Sequence, residues 1–403
     1  MNVRKVKEIS INIVTYLFSS VGLVVLAALL IFIFSNGYKL ISFKLITGNY
    51  FDYVTNLKLE DRENYILGGY VDPDLNNTYF SSRWGIALKD AVDNENKPIV
   101  EIAYLDERSP LRNMSDVQTK EYKSLKVGSA INKIILSSDE SSFIMGLSRD
   151  KAESLIEKFE QGDVIKDMIM LEPGGGIRGS LLTTLYLIIL TLIFALPLGI
   201  GTAIYLNEFA KQNKFTNLIK SSIDLIAGMP SIIFGLMGAT VFIPFTSKLL
   251  NANGGNLLSG ALTLAVILLP TIAKTTEEAL KAIPDKYRHA SLALGASKTQ
   301  TTFKVVIPNA LSGILTATLL SIGRIIGESA ALIYAVGTAI KDRVSISNKS
   351  TTLAVHIWSM MSGENPNFEL SCAISIIILM IVFILSISVK YVSKKINRFQ
   401  EEN

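Results

Sequence analysis

Two ionisable side chains lie where a bilayer would penalise them. Arg324 and Glu328 interrupt the apolar run SIGRIIGESAALIYAVG four residues apart, a spacing that puts both on one face of a helix. An ionisable group at that depth costs about 2.5 to 3.5 kcal/mol on insertion scales, so such residues face a bundle interior or a polar cavity. A guanidinium there suits an oxyanion, because its planar fork donates two parallel hydrogen bonds to a carboxylate or phosphate, and Glu328 would orient it. A purely structural Arg–Glu pair that fixes helix packing is the competing reading. Lys274, at the inner end of the preceding apolar segment, is a second cation for the same pathway or a side chain that snorkels to the aqueous interface. Gly323 and Gly327 repeat nearly the same spacing and would let another helix approach beside the pair.

Other chemistries lack their residues. There is no GxxxxGK[ST] loop, the single cysteine, Cys372, lies in an apolar segment, and the only two histidines, His289 and His356, fall in segments assigned to opposite sides of the membrane. No metal site, cofactor site or hydrolytic triad can be assembled from them. The chain is therefore not expected to be an ATPase or a hydrolase itself. The formal net charge of +4 does not indicate nucleic-acid binding.

The elements that must position these residues are membrane spans. Of 403 residues 49% are hydrophobic, and they are clumped, as in an integral membrane protein. Residues 1–35 hold a basic N-terminus and a first span, Ile9–Phe34, too long for a signal-peptide core. Further apolar stretches run over Leu181–Leu206, Leu218–Phe245 with a break at Gly228-Met229-Pro230-Ser231, Gly260–Ala273, Asn309–Gly337 and Ser371–Val389. Breaks at membrane depth are tolerated where they are buried in protein or line a cavity. Six spans with both termini in the cytoplasm put 16 Lys or Arg in the inner segments and 4 in the two short outer loops, the asymmetry expected of a plasma-membrane protein. The core is assigned to 177–392, with a basic tail over 393–403.

Residues 36–176 read as an extracytoplasmic α+β domain. Strands are expected at Arg83–Lys89, Ile99–Leu105, Ala130–Leu136 and Ile165–Leu171, and a helix over Ser148–Phe159 with Ser148 as its cap. Residues 70–171 resemble a PDZ module. Arg83-Trp84-Gly85-Ile86 falls where PDZ domains carry the loop that binds a peptide carboxylate, Val127-Gly128-Ser129-Ala130-Ile131 matches the family's G-D-x-I strand with Ser129 in place of Asp, and Gly162-Asp163-Val164-Ile165 matches its end. The resemblance implies capture of a peptide C-terminus as an added strand. A small domain that only shapes the outer mouth is the alternative.

Between the fourth and fifth spans the charged stretch 274–308 reads as two short helices joined at Gly295, the second ending at Pro308, on the cytoplasmic side. His289-Ala290-Ser291, Gly295 and Val305-Val306-Ile307-Pro308 keep the spacing of the EAA loop of ABC importer permeases. Lys274-Thr275-Thr276-Glu277 and Gly323-Arg324-Ile325-Ile326-Gly327-Glu328 are similar to segments of the PstA-type phosphate permeases. The resemblance implies an all-α polytopic fold of six transmembrane helices, the type I ABC importer permease fold. It implies one half of a phosphate pathway, with His289, Ala290, Ser291, Gly295 and Pro308 coupling to ATPases. It also implies a second homologous permease, two ATP-binding subunits and an extracytoplasmic phosphate-binding protein as partners. His289 replaces the family's first Glu, and Lys274 replaces an Arg. Sulfate, molybdate or phosphonate permeases share the architecture, and a membrane-anchored PDZ-like sensor or adaptor is the reading from another class.

Overall fold

Hydropathy dictates the longest helices, and an apolar run without proline gives α1, Val3–Gly37. In the computed structural model, residues 3–59, 67–92, 98–117, 122–139, 142–147, 149–172, 174–362 and 366–401 are described. The chain forms two compact units, 47–176 and the remainder. At the C-terminal end of α1, Gly37 presses on the backbone of Cys372 and Ala373, where a Cβ would sit 2.6 Å from main-chain atoms. A short helix, α2 (Phe43–Thr47), follows. Leu45 is buried with Ile177, Leu370 and Ile374, and its carbonyl accepts from the Ile177 N–H at 2.8 Å. Residues 36–46 thus belong with the helices, and the sheet-bearing unit begins later than residue 36.

Among its described residues the unit 47–176 is one antiparallel sheet with one α-helix packed on it. Its strands are β1 (Tyr53–Lys58), β2 (Tyr79–Ser81), β3 (Ile86–Val92), β4 (Pro98–Leu105), β5 (Met114–Asp116), β6 (Tyr122–Lys123), β7 (Ala130–Asp139), β8 (Ser142–Leu147) and β9 (Val164–Glu172). Among the described residues their order is β2-β3-β4-β7-β9-β1-β5-β6, with β8 pairing β7. The expected strands at 99–105, 130–136 and 165–171 are present as β4, β7 and β9, whereas Arg83-Trp84-Gly85 form a turn ahead of β3. Helix α3 (Ala152–Gln161) buries Ala152, Leu155, Ile156 and Phe159, an i, i+3, i+4, i+7 stripe facing the sheet. Ser148, the expected cap, lies outside the described residues. The N-cap position is Lys151, without a side-chain bond, and the first N–H of the helix, Ala152, donates instead to Asp90 on β3 at 2.8 Å. The Lys158 hydrogen bond holds the Asp150 carboxyl below its ordinary value.

The second unit resumes with α4 (Arg178–Ile204), extended by a π-helical turn at Tyr205–Phe209. Next come α5 (Lys214–Gly228), α6 (Ser231–Met237), a second π turn at Gly238–Phe242, α7 (Ile243–Leu250) and α8 (Leu257–Lys281). Then follow α9 (Asp285–Ala293), α10 (Lys298–Thr301), a π turn at Thr302–Val306, α11 (Ile307–Gly327), α12 (Ala330–Ala335), α13 (Leu353–Met361) and α14 (Phe368–Glu401). Six described helices are long and apolar enough to cross a membrane: Ile11–Leu40, Arg178–Phe209, Ser231–Leu250, Leu257–Lys281, Lys298–Gly327 and Phe368–Lys395.

Three sequence expectations change. The expected break at Met229-Pro230 is present, and it separates α5 from the third span, which runs over Ser231–Leu250 rather than Leu218–Phe245; proline removes a donor, and the residue before it leaves the α region. Pro308 does not end a helix, because the π turn just before it carries the helix from Lys298 through to Gly327. The fifth span stops at Gly327 rather than Gly337, with Glu328 in extended conformation.

Candidate functional site

The two cations singled out for the pathway, Lys274 and Arg324, stand on α8 and α11. The C-terminal half of α8 carries Thr271, Lys274, Thr275, Glu277 and Glu278, and α11 lies against α8. Arg324 is exposed and reaches Thr271 Oγ1 through Nη1 at 3.5 Å. Among the described residues it forms no ion pair with Glu328. The expectation that both share a helix face fails because the helix ends between them. The Glu328 carboxylate accepts from the Ala331 N–H at 3.2 Å and so caps the first turn of α12. Arg324 is therefore a cation whose local partner is a neutral hydroxyl, on a face that this chain leaves open. The glycine expectation changes with it: a Cβ added at Gly323 or Gly327 would meet nothing within 4 Å.

Lys274 lies one helical turn from Thr271 and is paired. Its Nζ is 2.5 Å from Asp224 of α5. One turn further along both helices, Lys220 of α5 donates to Glu277 at 3.1 Å, and Lys281 reaches the same carboxylate oxygen at 2.8 Å. Asp224 and Lys220, four apart on α5, thus clasp Lys274 and Glu277, three apart on α8. This clasp holds α5 beside the break that opens the third span.

Of the two helices expected in 274–308, the one before Gly295 is α9, and the one after it starts with α10 and runs on into the fifth span. The first part of that stretch is the end of α8, and the last part begins the fifth span. Gly295 terminates α9 with φ +84°. Its N–H donates to Leu292 O and that of Ala296 to Ser291 O, the paired bonds of a Schellman motif, whose left-handed position suits glycine. His289, Ala290 and Gly295 are exposed. Ser291 is half-buried and shares a 2.9 Å hydrogen bond with Thr301.

The strongest contact here was not legible in the sequence pattern. Arg288 Nη2 lies 2.8 Å from Glu208 Oε1, and Nε lies 3.4 Å from Oε2. These hydrogen bonds raise the guanidinium's pKa against the effect of burial. Glu208 stands on the π turn that ends the second span, where Asn207 also donates to it at 2.8 Å. An acid at the inner end of an apolar span, facing a basic loop, was the available signal.

In the unit 47–176 the expected carboxylate-binding loop has its donors engaged internally. The Arg83 N–H donates to Glu160 Oε1 at 3.2 Å, that of Trp84 to Ser81 Oγ at 3.2 Å, and that of Gly85 to Ser81 O at 2.9 Å. Ser81 Oγ also donates to Glu160 at 2.6 Å. Arg83 pairs with Asp163. Trp84 is fully buried, its indole N–H shared between Phe159 O and Gly162 O. Strand β2 covers the edge of β3 from Ile86 to Leu88. The Glu160 carboxylate and β2 thus occupy the N–H groups and the strand edge that a peptide would need, and a PDZ-type ligand site is not formed.

Six described helices long and apolar enough to cross a membrane define a polytopic membrane protein. Residues 195–398 match the family of binding-protein-dependent transport system inner membrane components, and the chain belongs to that family. It is 34% identical over 210 residues to a probable ABC transporter permease protein, YqgI, of Bacillus subtilis, covering 49% of this chain and 70% of that one. It is 35% identical over 213 residues to a phosphate transport system permease protein PstA homolog of Mycoplasma pneumoniae, covering 51% of this chain but 33% of that relative. The chain of the inward-facing MetNI methionine ABC transporter is 21% identical, with a TM-score of 0.44 over 55% of this chain and 95% of its own length. Residues 47–176 lie outside the family match.

Proposed function

We propose that this chain is the permease subunit of an ATP-driven importer of inorganic phosphate, lining one half of the translocation pathway. The observation that carries the reading is Arg324, an exposed guanidinium on an apolar span, bonded to Thr271, which itself stands one helical turn from Lys274 on α8. Relatives named as phosphate permeases support the choice of anion. Both termini and α9 lie in the cytoplasm, and unit 47–176 lies outside. A second homologous permease closes the pathway over the open face of α11, and two ATPase subunits dock on α9 around His289, Ala290 and Gly295. An extracytoplasmic binding protein delivers the anion.

In the proposed cycle, ATP binding closes the ATPases, displaces α9 and turns the bundle outward. Arg324 then receives the desolvated oxyanion with its fork, where fixed charge is worth more than in water. Lys274, released from Asp224, would add a point charge without the bidentate geometry. The test is uptake of radiolabelled phosphate by proteoliposomes carrying the assembled complex, with sulfate and molybdate in parallel. Phosphate accumulation that requires ATP and Arg324 supports the reading; accumulation of sulfate or molybdate alone reassigns the substrate.

A further inference from the structure

Helix α9 is fastened to this chain through one side chain far more than through any other. Arg288 uses all of its N–H donors at once. Nη1 donates to Ile283 O at 2.7 Å and Asp285 Oδ1 at 3.2 Å, and Nη2 donates to Leu280 O at 2.9 Å and Glu208 Oε1 at 2.8 Å. Nε turns to Glu208 Oε2 at 3.4 Å. Leu280 ends the fourth span, so the guanidinium satisfies a terminal carbonyl and meets the negative end of that helix dipole. Glu208 ends the second span, and its side chain is 7% exposed. The outer surface of α9 is open: Leu292 is 45% exposed and Leu294, just past its end, 89%. One face of the helix is thus anchored to two spans while the other is free.

We propose that Arg288, held by Glu208, is the positioning residue that makes α9 and the inner ends of the second and fourth spans move as one body. Any push on the exposed face of α9 then reaches both spans together. A lysine could not substitute, since three donors on a flexible stem cannot reach the carboxylate, two carbonyls and Asp285 simultaneously. Residue 289 replaces an acid in the family pattern, yet its side chain is exposed; the internal joint is its neighbour. This proposal rests on the reading of the chain as an ATP-driven importer.

The test uses the full complex with its ATPase and binding-protein partners, in a Cys372→Ala background with spin labels at Leu294→Cys and Leu198→Cys, an exposed position on α4. With Arg288 present, the distance between the labels stays the same in the nucleotide-free and ATP-bound states. Arg288→Ala makes it broad and nucleotide-dependent, and the ions imported per ATP fall by about tenfold or more, as expected when a buried charge loses its partner. Arg288→Lys falls between. Glu208→Gln, which preserves shape, gives the same direction of change and serves if Arg288→Ala does not assemble. Unchanged distances in these variants, or altered distances with an unchanged ratio of ions to ATP, would overturn the proposal. A parent complex that imports no phosphate sinks the substrate reading alone, because the label distance still reports on the joint.

Discussion

Helix α5 is held to α8 by two ion pairs of unequal strength, and replacing Glu277 by Gln should loosen it. Glu277 is the buried member of the clasp, with its side chain 14% exposed against 31% for Lys220. A hydrogen bond to a charged group contributes about 1.5–3 kcal/mol. The partial exposure of Lys220 lowers that to about 1–2 kcal/mol, and Lys281, which is 59% exposed, adds little. The second pair is exposed on both sides, 44% at Lys274 and 64% at Asp224, which limits it to at most about 1 kcal/mol. Opening of α5 should therefore become about 5–30 times more frequent in Glu277→Gln, and only a few-fold more frequent in Asp224→Asn. Hydrogen exchange of the α5 amides in the purified protein reads this directly, since local opening sets the rate. Equal acceleration in both variants, or a larger effect from Asp224→Asn, would refute the assignment of Glu277 as the principal clasp.

Trp84→Phe should destabilise the unit 47–176 by about 1–3 kcal/mol, because the carbonyls of Phe159 and Gly162 lose their buried donor while the ring contact with Phe159 survives. A lower denaturant midpoint for proteolysis within 47–176 checks it. Burial pushes His356 down to about 4, with Nδ1 bonded to Ser180 at 2.9 Å. The unfolded chain therefore takes up a proton first as pH falls from about 6.5. Its contribution to stability is intact above that value and is lost as pH falls towards about 4. The total is on the order of 3 kcal/mol, visible as a melting temperature that drops between pH 7.5 and 5 and drops less in His356→Gln.

How much of this was legible in the sequence varies with the physics of each element. Spans follow from apolar length, so α1 and α4 are close to their expected places, whereas α8 and α14 run past Ala273 and Val389 into charged sequence that hydropathy leaves out. The fifth span was extended too far because its apolar composition continues through Ala330 and Leu332, whereas the helix ends where Glu328 becomes extended, a backbone event that hydropathy does not register. Strands β4, β7 and β9 are long and rich in Ile and Val; β2, β5 and β6 have two or three residues and exist only through their partners. The peptide loop looked plausible because motif spacing cannot show that Glu160, far along the chain, already takes the Arg83 N–H. Glu208–Arg288 was missed for the same reason, being 80 residues apart. Gly295 was legible, because a helix stop that needs a left-handed residue selects glycine.

The central claim is that Arg324 serves an anion pathway, and phosphate uptake measures it most directly. Proteoliposomes holding the assembled importer are given radiolabelled phosphate, external binding protein and internal ATP. Wild type is expected to accumulate phosphate, and Arg324→Gln to lose most of that accumulation while the complex stays assembled, since removing one charged fork from a desolvated oxyanion costs about 2–5 kcal/mol. Undiminished uptake by Arg324→Gln contradicts the account.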